Sequence, residues 1–295
     1  MPHILKNKNL EVRIDLPFEN YNFTRFDQTG KIVDVLYKGT SFATIERTDD
    51  VDQNKFGQGF YNEFGIEIPV GFEDLEIGQY FHKIGVGLLR KESNQYFFLN
   101  EYQLEKAKFE NILEKDRLRI ICTSGLSHGY SYILTKDIIL DDHSFRIEYS
   151  LENNGVMDIK TAEYIHNFIS IDKDLIGKNY ILKFPFELDS RAFSQSINKE
   201  KKAQINGSEI TFENPPNEPI FYSHLNGHKI VEATWELFNL EKNLGVREIG
   251  NFTTNKVNLW GWTHVVSPEL FYMVDVKPQE IAKWSRTYQF FEINE

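Results

Sequence analysis

Apolar and polar residues alternate one for one along several tracts of this chain, and that period constrains its fold more than any other feature. Leu10, Val12, Ile14 and Leu16 alternate with Glu11, Arg13 and Asp15. A β-strand throws successive side chains to opposite faces, so such a tract has one buried face and one wet face. Residues 145–151, 230–238 and 270–276 repeat the pattern. Asn153-Asn154-Gly155 and Asn206-Gly207 are turn signals that tolerate positive φ. Gln28-Thr29-Gly30, between residues 23–26 and 32–37, reads as a hairpin. Strands recur without helix-length βαβ spacing, which predicts an all-β, antiparallel, sandwich-like fold. Residues 101–117 are rich in Glu, Lys and Leu and have helix-forming composition. Their apolar positions (Leu104, Ala107, Phe109, Ile112, Leu113) make only a partial helical stripe, so two strands joined by a turn are expected.

No repeat, low-complexity tract or Ser/Gly linker divides the 295 residues. The strongest breaker, Asn214-Pro215-Pro216-Asn217-Glu218-Pro219, reads as a loop inside one domain. Residues 1–295 are therefore expected to form a single β-sandwich domain, a size such folds reach. The net charge of −11 and the lack of a Lys/Arg cluster argue against nucleic acid or an anionic membrane as partner. No run of about 20 apolar residues is present, as a spanning helix would need. Cys122 is the lone cysteine, which excludes an intrachain disulfide and suits a reducing compartment. Met1-Pro2-His3-Ile4-Leu5-Lys6 has no apolar stretch of signal-peptide length, and the cytoplasm is the expected location. The 24 Phe and 14 Tyr suit strands, and they also suit the lining of a ligand cleft.

Polar reactive groups gather in three places. Residues 57–65 and 80–87 carry Asn62, Glu63, His82 and Lys83 among glycines and aromatics. Glu163-Tyr164-Ile165-His166-Asn167-Phe168 sets a His-Asn pair inside an aromatic-flanked strand. Trp260-Gly261-Trp262-Thr263-His264 is followed by Ser267-Pro268-Glu269. Trp260, Trp262 and His264 share one strand face, suited either to stacking on a sugar ring or to core packing.

The segment around His166 resembles the aldose 1-epimerase (galactose mutarotase) strand that reads roughly Thr-His-Pro/Thr-Tyr-Phe-Asn. Pro268-Glu269 resembles that family's late Glu-Pro-Gln stretch. Val276-Lys277-Pro278-Gln279-Glu280, with the aromatic run from Trp284 to Phe290, resembles its closing Pro-Gly-Glu and final strand. The order holds from about Phe26 to Phe291. Asn follows His166 where the family has Pro or Thr, and proline precedes Glu269 instead of following it, the marks of a divergent branch. The resemblance implies an antiparallel β-supersandwich with a sugar cleft, an isomerase activity, and no metal or redox cofactor. It implies His166 as general acid and Glu269 as general base, with His82 as the substrate-holding histidine; Asn62, Glu63, Asn167, Trp260, Trp262 and His264 are further candidates for binding a small-molecule sugar. His82, in Tyr80-Phe81-His82-Lys83-Ile84-Gly85, stands in the region of the family's His-Gly-Gly stretch.

Mutarotation requires such a pair. A base takes the proton of the anomeric hydroxyl while an acid protonates the ring oxygen, and each transfer contributes about 10²–10⁴-fold. With ordinary pKa values of about 4.3 and 6.5, an ionised Glu and a protonated His coexist only below neutral pH. An acidic neighbour would widen that window, and Glu63 is the candidate. Two other readings stand beside this one. In the first, Lys83 and Arg90 would meet the phosphate of a hexose 6-phosphate in an epimerase for that substrate. In the second, the chain is a non-catalytic carbohydrate sensor that keeps the fold.

Overall fold

The computed structural model describes residues 2–49 and 51–294. Its regular structure among these residues is strand, apart from two single turns of 3₁₀-helix at Gln53–Lys55 and Ser190–Ala192. Among the described residues, no helix is long and apolar enough to cross a membrane.

Two large antiparallel sheets form the body. The ten-stranded sheet runs in the order Ala203–Asn206, Glu209–Phe212, Tyr180–Lys183, Val231–Asn239, Leu244–Thr254, Ile281–Glu292, Ser144–Asn153, Tyr132–Leu140, Arg117–Thr123, Lys108–Leu113. The seven-stranded sheet runs His3–Lys6, Leu10–Asp15, Lys31–Tyr37, Phe60–Phe64, Ile159–Asn167, Tyr272–Val276, with Thr40–Ser41 paired to Lys31–Tyr37. Their inward faces share one hydrophobic core, in which Val12 and Ile14 from one sheet join Leu134 and Ile147 from the other. This is the antiparallel sandwich expected from period two, and the β-supersandwich that the resemblance implies. A four-stranded sheet (Gln195–Ile197, Ile220–Ser223, Val257–Trp262, Val265–Leu270) meets the seven-stranded one through a bridge between Ile169 and Val266. A three-stranded sheet (Tyr80–Lys83, Gly87–Arg90, Leu104–Lys106) completes the set.

Two local expectations are corrected. Residues 23–26 do not pair with residues 32–37. The segment before Lys31 is irregular, because Asp27 folds back to accept from the backbone N–H of Thr29 and its own N–H donates to the Asn62 carbonyl. Residues 101–117 do hold two strands, but no turn joins them. Only Ala107 separates Leu104–Lys106 from Lys108–Leu113, and the extended chain passes there from the small sheet to the ten-stranded one. Asn206-Gly207 turns a hairpin as expected, with Gly207 at φ 61°.

A charged network lies between the two large sheets. Arg286, on the ten-stranded sheet, donates from Nη2 to Glu163 of the seven-stranded sheet at 2.7 Å and from Nη1 to Glu248 at 2.5 Å; all three side chains are fully buried. Each carboxylate has two further donors. Asn62 Nδ2 and Trp284 Nε1 donate to Glu163, while Asn167 Nδ2 and Trp235 Nε1 donate to Glu248. Burial works against the Arg286 charge, but the two carboxylates outweigh it and raise its pKa. Arg286→Met would strand two buried carboxylates and should cost about 3–5 kcal/mol, the usual price of breaking such a network. Urea unfolding should show this loss at pH 8 and a smaller loss at pH 5, where protonation relieves the stranded charge.

Candidate active site

Strand parity builds the site. Along Ile159–Asn167, Glu163, Ile165 and Asn167 face the sheet interior, so Tyr164 and His166 face the opposite way. Phe168, the next residue of that parity, stacks on the His166 ring with centroids 4.2 Å apart and planes 16° from parallel. A side chain at Gly57 would collide with the Phe168 ring at 2.4 Å, so only glycine lets that stack form. Trp260 meets His166 edge-on at 5.6 Å.

Glu269 arrives from the four-stranded sheet, in register with Asn258 on Val257–Trp262. His166 Nε2 lies 3.3 Å from Glu269 Oε1, and His166 Nδ1 shares a 2.7 Å hydrogen bond with Ser267 Oγ. The backbone on both sides of Glu269 is anchored. Asn167 Nδ2 donates to the Pro268 carbonyl at 2.6 Å, and Arg286 Nη2 donates to the Leu270 carbonyl at 2.8 Å. Groups held this way need little reorganisation before reacting.

The pair opens on a cleft of about 420 Å³ walled by Arg25, Glu46, Phe98, Tyr164, Lys256, Trp260 and Phe271, among others. Arg25 is buried, donates to both oxygens of Glu46 (2.9 and 3.1 Å) and to Glu63 (3.1 Å), and lies between the Phe26 and Phe98 rings. Lys256 pairs with Glu67 at 2.5 Å and lies over the Phe271 ring. Burial pushes the Glu269 carboxyl up to about 8, against the pull of Arg25 and Lys256. Burial, aided by the positive Arg25, holds the His166 imidazole well below its ordinary 6.5. Below pH 8 the pair therefore carries one proton.

Of the residues expected at the site, the structure brings together His166, Glu269 and Trp260. His82 is turned away from the cleft and packs on Tyr130 and Tyr132, where burial lowers its pKa to about 4. Its neighbour Lys83 takes the other face and pairs with Glu63 at 3.1 Å. Asn62 and Asn167 sit on the interior side, spending their amides on Glu163, Glu248 and backbone carbonyls. Glu63 is not the acidic neighbour of His166. It is fully buried and taken up by Arg25, Lys83 and the Tyr164 hydroxyl, so the charge felt by the imidazole is that of Arg25. Trp262 and His264 lie outside the cleft. Trp262 Nε1 donates to the Asn217 carbonyl and its ring packs on Arg47, while His264 Nε2 donates to the Ile45 carbonyl. Arg25, Tyr164, Ser267, Asn258 and Lys256 were not foreseen. Arg25 lies in an irregular segment with no period to place it, whereas Tyr164 could have been found from its parity with His166. Among the described residues, no cluster of three or more His, Cys, Asp or Glu could hold a metal ion.

No protein-family model matches the sequence, and no curated protein matches it significantly. Solved structures do match over nearly the whole chain. A galactose mutarotase-like protein from Clostridium acetobutylicum superposes with a TM-score of 0.58 at 11% identity, covering 98% of this chain and 94% of its own. The chain has the galactose mutarotase-like fold. The aldose epimerase homologue from Caenorhabditis elegans shares it at a TM-score of 0.55 and 9% identity, with both chains covered in full. The Slr1438 protein from Synechocystis sp. PCC 6803 does so at 0.61 and 11%, covering 99% and 96%.

In this mutarotase-like fold, burying Glu269 should oppose stability in a pH-dependent way. Its pKa is raised in the folded state, from an ordinary 4.5 to about 8. Below pH 4.5 the group is neutral folded or unfolded, and its burial costs nothing through ionisation. Between 4.5 and 8 the unfolded chain ionises while the folded one does not, so stability is lost as pH rises. Glu269→Gln removes that titration. The variant should gain on the wild type from pH 4.5 to 8 and then level off, by on the order of 5 kcal/mol, in denaturant melts across that range.

Proposed function

We propose that this cleft interconverts the α and β anomers of an uncharged aldose, with His166 and Glu269 as the proton-transfer pair. The observation that carries the reading is the contact itself. An imidazole nitrogen and a carboxylate oxygen from two different sheets lie 3.3 Å apart, nearly buried, on a cleft walled by Trp260 and Phe271. Such aromatic walls suit the C–H faces of a pyranose.

Ring opening breaks the bond between C1 and the ring oxygen and converts the anomeric hydroxyl to a carbonyl. One group removes the hydroxyl proton while its partner delivers a proton to the ring oxygen. Rotation about C1–C2 then presents the other face of the carbonyl, and closure reverses both transfers. The pair needs one proton in total, which is what it holds below pH 8. With Glu269 raised and His166 lowered, that proton rests on Glu269. A sugar hydroxyl donating to the carboxylate stabilises its charge and favours passage of the proton to His166, giving the acid and base roles expected of them. Ser267 on Nδ1 keeps Nε2 directed at the reacting side.

Charge pairing favours a neutral substrate over a phosphorylated one. Arg25 is matched by Glu46 and Glu63, Lys256 by Glu67, and Lys83 by Glu63. Arg90 pairs with Glu92 at 3.1 Å. The names of the Clostridium and Caenorhabditis structures, a mutarotase-like protein and an aldose epimerase homologue, agree with the reading at the level of fold.

Anomer exchange followed by NMR tests it. His166→Asn and Glu269→Gln should each slow exchange by about 10²-fold or more while weakening sugar binding much less. The double variant should lose less than the product of the single losses, because both groups act in one step. The wild-type rate should fall above pH 8, as the pair gives up its proton. Sugar binding without acceleration over buffer would instead mark a sensor.

A further inference from the structure

The face that carries His166 does not end at the cleft. Lys160, Ala162, Tyr164 and His166 share it, and the antiparallel register sets Met273 opposite Ala162 and Asp275 opposite Lys160. Directly opposed residues on an antiparallel pair point to the same side. The row therefore runs from His166 through Tyr164, which stacks on Phe271 at 4.6 Å, to Ala162 beside Met273 and then Lys160 beside Asp275. A second cavity of about 420 Å³ lies along the far part of this row, and it shares Ile66, Glu67, Lys256 and Phe271 with the catalytic cleft. Ala162 is four residues from His166, roughly 13 Å along the strand at about 3.3 Å per residue.

We propose that this annex is a subsite for the distal rings of a reducing oligosaccharide whose reducing end occupies the His166–Glu269 cleft. The proposal rests on the anomer-exchange reading above. The annex has an apolar floor and a charged rim. Ile68 and Met273, 46% and 54% exposed, are large apolar side chains left facing solvent. The Lys256–Glu67 pair stands where the two cavities join, and Lys160 and Asp275 face each other at 3.9 Å. A pyranose matches this combination, laying C–H faces on the floor and turning hydroxyls to ammonium and carboxylate groups. A purely apolar substituent would make no hydrogen bonds to this charged rim, whose groups would have only each other. The chain of sugars must leave the first ring from a hydroxyl other than the anomeric one, which stays free to react.

Glucose, maltose, cellobiose and lactose, compared in NMR anomer exchange, test the subsite. The wild type should favour at least one disaccharide over glucose by about tenfold in kcat/KM, equivalent to about 1.4 kcal/mol. Ile68→Asp with Met273→Asp should abolish that preference and leave glucose exchange unchanged, which also shows that the double variant folds. A wild type that treats disaccharide and glucose alike, or a preference that survives the double variant, overturns the subsite. If no sugar is exchanged, the anomer-exchange reading fails and saturation-transfer NMR judges the annex separately. Saturation reaching the non-reducing ring of a disaccharide in the wild type, and lost in the double variant, supports it. Its absence in the wild type overturns it.

Discussion

Arg286 is the point on which three sheets converge. Its guanidinium sits on the ten-stranded sheet, reaches across the core to Glu163 on the seven-stranded sheet, and donates to the Leu270 carbonyl on the four-stranded sheet. A fully buried charge is costly unless close ion pairs and hydrogen bonds offset its lost hydration. Here Glu163 and Glu248 are matched by Arg286 and by the amides and indoles of Asn62, Trp284, Asn167 and Trp235. Apolar residues could fill such a core with equal stability. What they could not do is fix the relative register of three sheets, because apolar contacts carry no direction. The fork of the guanidinium does carry direction.

That geometry matters because the chemistry sits on the reverse side of the same strand. Along Ile159–Asn167, one face carries Glu163 and Asn167 into the polar network, and the other carries Tyr164 and His166 to the cleft. Asn167 is the hinge of this coupling. It takes a hydrogen bond from the Tyr288 hydroxyl at 2.8 Å and donates to Glu248 and to the Pro268 carbonyl next to Glu269. The separation of His166 from Glu269 is thus set by interior bonds that never touch solvent. The same rigidity suits a pair that must exchange protons with two oxygens of one sugar, where small misplacements are expensive.

The fold was legible because period two is a statement about burial, and burial is what a sandwich consists of. Leu10, Val12 and Ile14 are buried in alternation, and so are Phe145, Ile147, Tyr149 and Leu151. Where the reading failed, the cause was a polar segment that makes its own local bonds, as at Asp27 and Thr29, or an extended run that changes sheets, as at Ala107. The site was half legible. His166 and Glu269 followed from a resemblance in order and spacing, and Trp260 from an aromatic strand face. Treating His166 and Asn167 as one polar pair overlooked that neighbours in a strand diverge, and the same parity sends Asn62 inward while Glu63 faces Arg25. Arg25 itself was beyond reach, since its place depends on Glu46 and Phe98, which no local pattern links to it.

The titration behaviour of the site follows from the same burial. A catalytic carboxylate exposed to water would ionise below pH 5 and leave a neutral imidazole beside it with no proton to give. Enclosing the pair raises Glu269 to about 8 and lowers His166, so that together they keep one proton through the neutral range. An acidic neighbour, expected to protonate the histidine, would have achieved the same count with a charged pair. The chain instead places cationic Arg25 at the cleft and pairs its charge with Glu46 and Glu63. The proton then rests on Glu269, and a ligand hydroxyl donating to the carboxylate favours its passage to His166. The stability forfeited by burying Glu269 is then what keeps a usable proton at the pair at neutral pH.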